Sequence, residues 1–499
     1  MGTLFLWTLE VALAYICNLL KPIKRPWGET AMKLKKIAAL IAIAAASGSA
    51  FATDGYFAHG YGMMAKGMGG AATAMASDSF GGANNPASMV WAGDRLDVGL
   101  DFFSPRRKAS RTGSVGFAGA GELDFSVDSG SNLHYVPEFG FNKMLGWDMS
   151  AGITVYGNGG MNTDYDGGQI SAASPTCGGF NAMSGAAAVA GPYNALCGGG
   201  KLGVDLMQLI IAPTFAMKVN KSHSLGMSLL ITHQQFKISG LHGFGGYTAT
   251  SATGGPANLT NLGRDKSNGV GLRFGWMGQL SEQVTMGAAY ATKTRMSKLD
   301  LYKDLLAEGG GFDIPENWNI GIAFKPNDQW TVAADYQVIN YGGVKSIANP
   351  STNLNPFIGP NAAGAFAAFN LAGGTLGCDG CRGFGWSNVD VIKLGAEYKY
   401  NKDMTLRAGY NRSKNPIQAR DVTFNILAPG VVQDHYTVGF TYNVSKDSEL
   451  TMAYMHAKQN SVSGTSLFNT WLAGFGGAGG TEKIEMYQDS IGIAYGMKF

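Results

Sequence analysis

From residue 95 onward, apolar and polar residues alternate with a period of two, in segments separated in turn by short polar turns and by long Gly-, Asn- and Ala-rich loops. That period predicts β-strands with two unlike faces. Fourteen segments are read, with cores starting at 95, 133, 147, 204, 224, 268, 284, 318, 330, 388, 405, 435, 449 and 484. In "YTVGFTYNV" one face carries Tyr436, Val438, Phe440, Tyr442 and Val444, and the other Thr437, Gly439, Thr441 and Asn443. "WNIGIAFK" puts Trp318, Ile320, Ile322 and Phe324 on one face, and "LRAGY" does the same with Leu406, Ala408 and Tyr410.

Soluble antiparallel sheets alternate as well, so the connections are needed to choose. Short turns such as "NKSH", "PNDQ" and "SKDSE" take turns with long loops at 160–203, 242–266, 294–316, 343–387 and 460–482, the asymmetry of periplasmic turns and extracellular loops. An even number of strands closing on themselves leaves no sheet edge in lipid. Trp318, Trp330, Tyr341, Tyr398 and Tyr400 suit interfacial girdles. After Ala52 no window approaches the roughly 20 apolar residues of a membrane helix. The expected fold is an all-β membrane protein, a 14-stranded antiparallel barrel. The final "IGIAYGMKF" puts Ile491, Ile493, Tyr495, Met497 and Phe499 on one face and resembles the closing strand that the outer-membrane assembly machinery recognises.

The N-terminal residues change the reading of charge. Residues 32–52 read as a signal peptide, with Lys33, Lys35 and Lys36 before the apolar run 37–46 and Ala50-Phe51-Ala52 as the cleavage site. Upstream, 1–31 is either an additional anchor or the product of a misassigned start, and the second is favoured. Residues 1–52 carry six of the 38 Lys and Arg and two of the 35 Asp and Glu, so their removal turns the net charge from +3 to −1 and leaves no support for nucleic-acid binding. Four of the five cysteines then remain, Cys177, Cys197, Cys378 and Cys381, which in an exported chain suggests two disulfides.

Several stretches, in order and with matching spacing, resemble the FadL/TodX transporters of Gram-negative outer membranes: "GYFAHGYGMMAKGMGGAATAMASD", the "NPA" at Asn85-Pro86-Ala87, the "YG" at Tyr156-Gly157, "IPENWNIGIAFKPNDQWTVAADYQ", "LRAGYNRSKNPI" and "LAPGVVQDHYTVGFTYNVSKDSELTMAYMHA". The resemblance covers essentially the whole chain after residue 52. It implies a barrel over 89–499 whose N-terminal segment, 53–88, folds into the lumen as a hatch including Gly69, Gly70, Asn85, Pro86 and Ala87. It also implies capture of long-chain fatty acids or hydrocarbons in an apolar groove between loops, and passive movement to an internal pocket. Exit would be sideways into the bilayer at a kink in the third strand, at Tyr156, Gly157, Asn158, Gly159 and Gly160. Without the resemblance, those glycines read equally as a strand ending in a loop.

Other candidates keep two readings. The apolar loops at 180–196, 301–312 and 361–377 offer Leu301, Leu305, Leu306, Phe312, Phe366 and Phe369 to a ligand groove, or else pack on one another. Arg273, Asp335, Lys393 and Arg407 face the lumen by parity, with Glu397 near them; they either form a structural ion network or leave a cation for a carboxylate. "PRRKASR" at 105–111 suits lipopolysaccharide phosphates or a solvated rim. "CDGC" at 378–381 has the spacing of a redox or metal half-site, but a small structural disulfide is preferred, beside one closed by Cys177 and Cys197 with crossed pairing left open. The seven histidines form no recognisable metal or nucleophile motif, so neither catalysis, a metal nor a cofactor is expected. The chain reads as a monomeric outer-membrane channel for hydrophobic small molecules. A general porin, an adhesin-like barrel and an outer-membrane barrel enzyme are the alternatives.

Overall fold

The computed structural model describes residues 53–183, 189–248, 250, 257–353 and 376–499. Among these, fourteen long strands make the wall: β1 (Arg95–Thr112), β2 (His134–Met144), β3 (Met149–Asn162), β4 (Gly203–Lys218), β5 (His223–Ser239), β6 (Asp265–Gln279), β7 (Val284–Ala291), β8 (Asn317–Phe324), β9 (Trp330–Ile339), β10 (Val389–Lys399), β11 (Met404–Ser413), β12 (Asp434–Asn443), β13 (Ser448–Thr465) and β14 (Thr481–Lys498). Each starts within three residues of the start expected from the alternation. Every strand pairs antiparallel with its neighbours in sequence, and β1 pairs with β14 from Arg95↔Lys498 to Thr112↔Thr481, which closes the barrel.

Strand period decides what faces lipid. Trp318, Ile320, Ile322 and Phe324 on β8, Tyr436, Val438 and Tyr442 on β12, and Ile491, Ile493 and Tyr495 on β14 are all exposed outward, while Asn319, Ala323, Thr437, Thr441 and Ala494, which alternate with them, are buried. No helix among the described residues is long and apolar enough to cross a membrane. β1, β13 and β14 run 18 residues each against eight in β7 and β8, so at about 3.3 Å per residue one side of the wall rises well above the other.

Residues 53–93 lie inside this wall, and most of their side chains are buried. The segment is irregular. It holds a short α-helix, α1 (Met63–Gly67), then turns through the Asn85-Pro86 corner into a 3-10 turn at 86–88 and a second short helix, α2 (Met89–Ala92), and reaches β1 at Arg95. Its backbone approaches the wall closely where the wall has glycine: a Cβ on Gly275 of β6 would meet Pro86 Cδ at 2.8 Å, and one on Gly395 of β10 would meet Met68 O at 2.6 Å. Irregular backbone at membrane depth is tolerated only inside protein or beside a cavity, and the barrel interior supplies that setting.

Candidate functional site

The interior is organised around contacts between residues 53–93 and lumen-facing side chains of the strands. Asp335 (β9) accepts from the amides of Ala72 and Thr73, both at 2.9 Å, and from the Thr73 hydroxyl at 2.7 Å. Lys393 (β10) donates to the His59 carbonyl at 2.9 Å and lies 3.8 Å from Asp54. Arg273 (β6) donates to the Asn84 carbonyl at 3.2 Å. Arg407 (β11) pairs at 2.8 Å with Glu397, its cross-strand neighbour on β10. All five charges expected at the lumen therefore face inward, and three of them bond directly to the inner segment.

Parity applied to β1 would have found more. Arg95, Asp97 and Asp101 share the inner face of that strand. Lys66 of α1 pairs with Asp101 at 2.7 Å and lies 3.8 Å from Glu138 of β2. Arg95 bridges Asp97 and Glu449, both at 2.6 Å. "PRRKASR" divides by the same rule: Arg106 and Lys108 point out, whereas Arg107 and Arg111 are buried and Arg111 pairs with Glu482 at 2.5 Å.

The Asn85-Pro86-Ala87 corner is buried. The Asn85 side chain donates to the carbonyls of Thr73 (2.7 Å) and Trp276 (2.9 Å) and accepts from the Ala87 amide (3.1 Å), joining two limbs of the segment to β6. Gly69 and Gly70 take φ of 66° and 84°, a left-handed conformation that favours glycine.

The third strand is discontinuous in two ways. Its register with β4 shifts between Gly157 and Gly159, a bulge at Asn158. Its ladder with β2 ends at Phe139↔Val155, so residues 156–162 of β3 and residues 134–138 of β2 do not pair with each other. The vacated edge of β3 is partly taken by the inner segment: Ala58 N donates to Asn158 O and Gly160 N to Tyr56 O, each at 3.2 Å. A Cβ on Gly159 would strike the Tyr56 carbonyl, so this contact requires glycine there. Asn158 also donates to Gln208 at 2.9 Å and accepts from the Tyr61 hydroxyl at 3.1 Å, and the Tyr61 and Tyr156 rings lie 4.6 Å apart.

Above the inner segment is an aromatic layer. Tyr341 stands 5.1 Å from Tyr56 and 5.3 Å from Trp386, ring centre to ring centre; its hydroxyl donates to Asp54 O at 2.7 Å and accepts from Tyr56 N at 3.0 Å. Higher still, Phe180, Phe244, Tyr247, Leu376, Phe424, Leu467, Phe468 and Trp471 line an open groove between loops, with Arg382 and Thr470 as its polar members. Burial pushes the Tyr247 hydroxyl up to about 12 and lowers the Arg382 guanidinium. The groove opens about 550 Å³ of space, counting what is open to solvent. One connected cluster of buried apolar side chains runs from Phe180, Phe424 and Phe468 through Tyr341 and Trp386 to Tyr56, Val136 and Tyr156 at the break in the wall.

The loop residues singled out from sequence sit elsewhere. Leu305, Leu306 and Phe312 are packed inside that apolar cluster, Leu301 is at the surface, and Phe366 and Phe369 lie outside the described residues. Of the apolar loops read as groove-formers, 180–196 contributes Phe180 and 361–377 contributes Leu376, while the remaining lining comes from other loops. Disulfides join Cys177 to Cys197 and Cys378 to Cys381, the uncrossed arrangement. Among the described residues no group of His, Cys, Asp and Glu is placed to hold a metal ion.

A closed barrel with a lipid-facing outer surface, an occupied lumen and a packed apolar cluster reaching from the loops to the break in the wall is the architecture of an outer-membrane barrel. The chain belongs to the outer membrane protein transport protein family (OMPP1/FadL/TodX), whose profile matches residues 179–498. It is a transport protein for hydrophobic compounds, and the family consists of channels, not enzymes. No curated protein matches the sequence. Among solved structures it is similar to the toluene transporter TodX of P. putida (18% identity, TM-score 0.58, covering 88% of this chain and 99% of that one). It is also similar to the toluene transporter TbuX of Ralstonia pickettii (18%, 0.57, 88% and 99%) and to a Pseudomonas aeruginosa FadL homologue (14%, 0.59, 89% and 99%). At such identities the likeness is one of fold.

Proposed function

We propose that the protein lets hydrophobic compounds cross the outer membrane passively, by capture in the loop groove, passage along the apolar column and sideways exit between β2 and β3. The observation that carries this reading is the wall itself: β3 continues seven residues beyond the end of its ladder with β2. Strand edges without partners are costly in hydrocarbon, so the inner segment, through Ala58 and Tyr56, and water must satisfy the backbone at that break. Phe102, Leu133 and Tyr135 are exposed on the outer surface beside the break and give it an apolar lip.

Residues 53–93 act as the hatch in this scheme, held by Asp335, Lys393, Arg273 and Asp101. A monomer suffices, since groove, column and break belong to one chain. Outward Arg106 and Lys108 suit lipopolysaccharide phosphates, and the terminal Phe499 suits recognition by the assembly machinery.

The test is uptake by cells of labelled oleate and labelled toluene. Expression should accelerate at least one of them, and deletion of Asn158, which removes the bulge, should abolish the gain while the barrel still assembles. Equal uptake with and without the protein overturns transport, and undiminished uptake after the deletion overturns sideways exit.

A further inference from the structure

The lipid-facing surface does not end alike all round the barrel. On β7, β9 and β11 it ends in a tyrosine whose hydroxyl donates to an acid from the adjoining strand: Tyr290 to Glu316 at 3.1 Å, Tyr336 to Asp390 at 2.9 Å and Tyr410 to Asp434 at 2.5 Å. The raised sector of β13, β14 and β1 ends differently. Above Tyr454, Ile491 and Phe102 its outward positions are polar or charged up to the strand ends, with Tyr487 the one aromatic among them. At about 3.3 Å per residue, these stretches continue for roughly 30 Å along β1 and β14. The acids in this sector are engaged: Asp489 accepts from Tyr454 at 2.7 Å and His456 at 2.9 Å, and Glu485 from Lys483 at 2.8 Å and Gln459 at 3.2 Å. Three cations keep no ion-pair partner among the described residues: Arg106 and Lys108 on β1, and Lys458, which stands exposed in the bulge between Ala457 and Asn460 of β13. Register gathers them. Arg106 lies opposite Tyr487 of β14, and Tyr487 opposite the bulge that holds Lys458, so Arg106, Tyr487 and Lys458 form one row, with Lys108 one outward position higher on β1. Neighbouring strands lie about 4.8 Å apart, which puts the backbone at the two ends of this row about 10 Å apart.

We propose that the outer face of β13, β14 and β1 above the apolar band is a docking surface for the phosphorylated headgroup of lipopolysaccharide, with Arg106, Lys108 and Lys458 taking its phosphates and the Tyr487 hydroxyl donating between them. The inference deepens the reading of Arg106 and Lys108 given above; it rests on the placing of the barrel in the outer membrane and not on what passes through it. Cations grouped without an anion repel one another, and a multivalent anion relieves that. Phosphate suits both cation types, since the guanidinium fork binds it in two-point fashion and ammonium binds it as a point charge. Below the row, exposed Phe102, Ile491 and Ile493 offer an apolar surface to the acyl chains of the same lipid. Height selects the lipid: a polar wall rising this far above the apolar band meets the sugars that extend outward from lipopolysaccharide, whereas a phospholipid headgroup ends near the lowest cation. Charge selects the sector, because Glu316, Asp390 and Asp434 at the edge of the lower wall repel phosphate.

The test measures binding of deep-rough lipopolysaccharide, the same lipopolysaccharide stripped of its phosphates, and cardiolipin to the purified full chain in detergent by native mass spectrometry, with barrel assembly checked by the heat-dependent shift of the protein in gels. The variants are a triple replacement, Arg106→Gln with Lys108→Gln and Lys458→Gln, and Arg412→Gln, which removes an exposed cation paired with Asp434 on the lower wall. The expected result is tenfold or more preference of the parent for the phosphorylated lipopolysaccharide over both other lipids, at least a tenfold loss in the triple variant, and binding within twofold of the parent in Arg412→Gln. Parent-like binding by the assembled triple variant, equal binding of the dephosphorylated lipid, or equal loss in Arg412→Gln overturns the assignment. Cardiolipin bound as tightly as lipopolysaccharide overturns the choice of lipid and with it the proposal. Uptake of labelled oleate and toluene, measured on the same proteins in cells, keeps the two readings apart: an assembled parent that binds lipopolysaccharide as expected but takes up neither compound overturns transport and upholds this surface.

Discussion

Asp335 and Lys393 are register partners on β9 and β10, yet they form no salt bridge with each other; each bonds instead to a different stretch of the segment inside the barrel. Two opposite charges that would satisfy each other across a bare wall are thus used as separate fastenings, one for Ala72-Thr73 and one for His59.

Asp335→Ala should therefore loosen the inner segment without opening the wall. Leaving buried donors unsatisfied costs about 1–3 kcal/mol, and three donors converge on this carboxylate. The variant is expected to assemble as a barrel, to show larger ion conductance in planar bilayers, and to expose 53–93 to added protease. Conductance and cleavage equal to the parent would contradict the fastening role.

Phe180 touches Phe244, Tyr247, Phe468 and Trp471, with ring centres 5.1–5.6 Å apart. Aromatic pairs are worth about 0.5–1.5 kcal/mol each beyond area burial. Phe180→Ala should weaken binding of a fluorescent apolar probe about tenfold and raise the concentration for half-maximal uptake, with the maximal rate nearly unchanged. A lower maximal rate at unchanged affinity would place the capture step elsewhere.

Glu122 ties the first extracellular loop to the residues that open the helix Pro175–Met183. Burial raises its pKa, but bonds from the Ser174 and Thr176 side chains and from the Ala118 and Thr176 amides outweigh that and hold it below the usual carboxylate value of 4.5. A depressed folded-state pKa gives stability that is present above 4.5 and lost as pH falls through the lower folded value. Protection factors of the amides at 174–177, which correct for the slower intrinsic exchange in acid, should thus be high at pH 7 and fall in that acid window, and Glu122→Gln should reduce the difference between the two conditions.

Cys177 and Cys197 are fully buried and close a loop with a sequence separation of 20. A loop of this size is stabilised by about 3 kcal/mol. Replacing both by Ser should make the loop at 160–203 sensitive to protease and reduce probe binding in the groove, in which Phe180 sits three residues after Cys177. Mild reductant should leave the parent unaffected, because neither sulfur is accessible.

The wall was legible because its chemistry is local. Alternation at period two puts Val438 outward and Thr437 inward whatever the rest of the chain does, so strand starts and the lumen-facing Arg273, Asp335, Lys393 and Arg407 follow from parity. Parity was silent on partners. Nothing near Lys393 in sequence points to His59, 334 residues away, and nothing in the loop at 301–312 shows that Phe312 is packed in the core while Phe180 edges the groove.

The sequence by itself determined that the chain is a lipid-facing barrel, because the side of a strand is fixed by the backbone pleat and the cost of polar groups in hydrocarbon. Only the tertiary structure decided where the ladder between β2 and β3 stops and which cations find acids. Those depend on closure of the barrel around residues 53–93, which brings groups distant in sequence into a space where every charge and every unpaired edge must be satisfied.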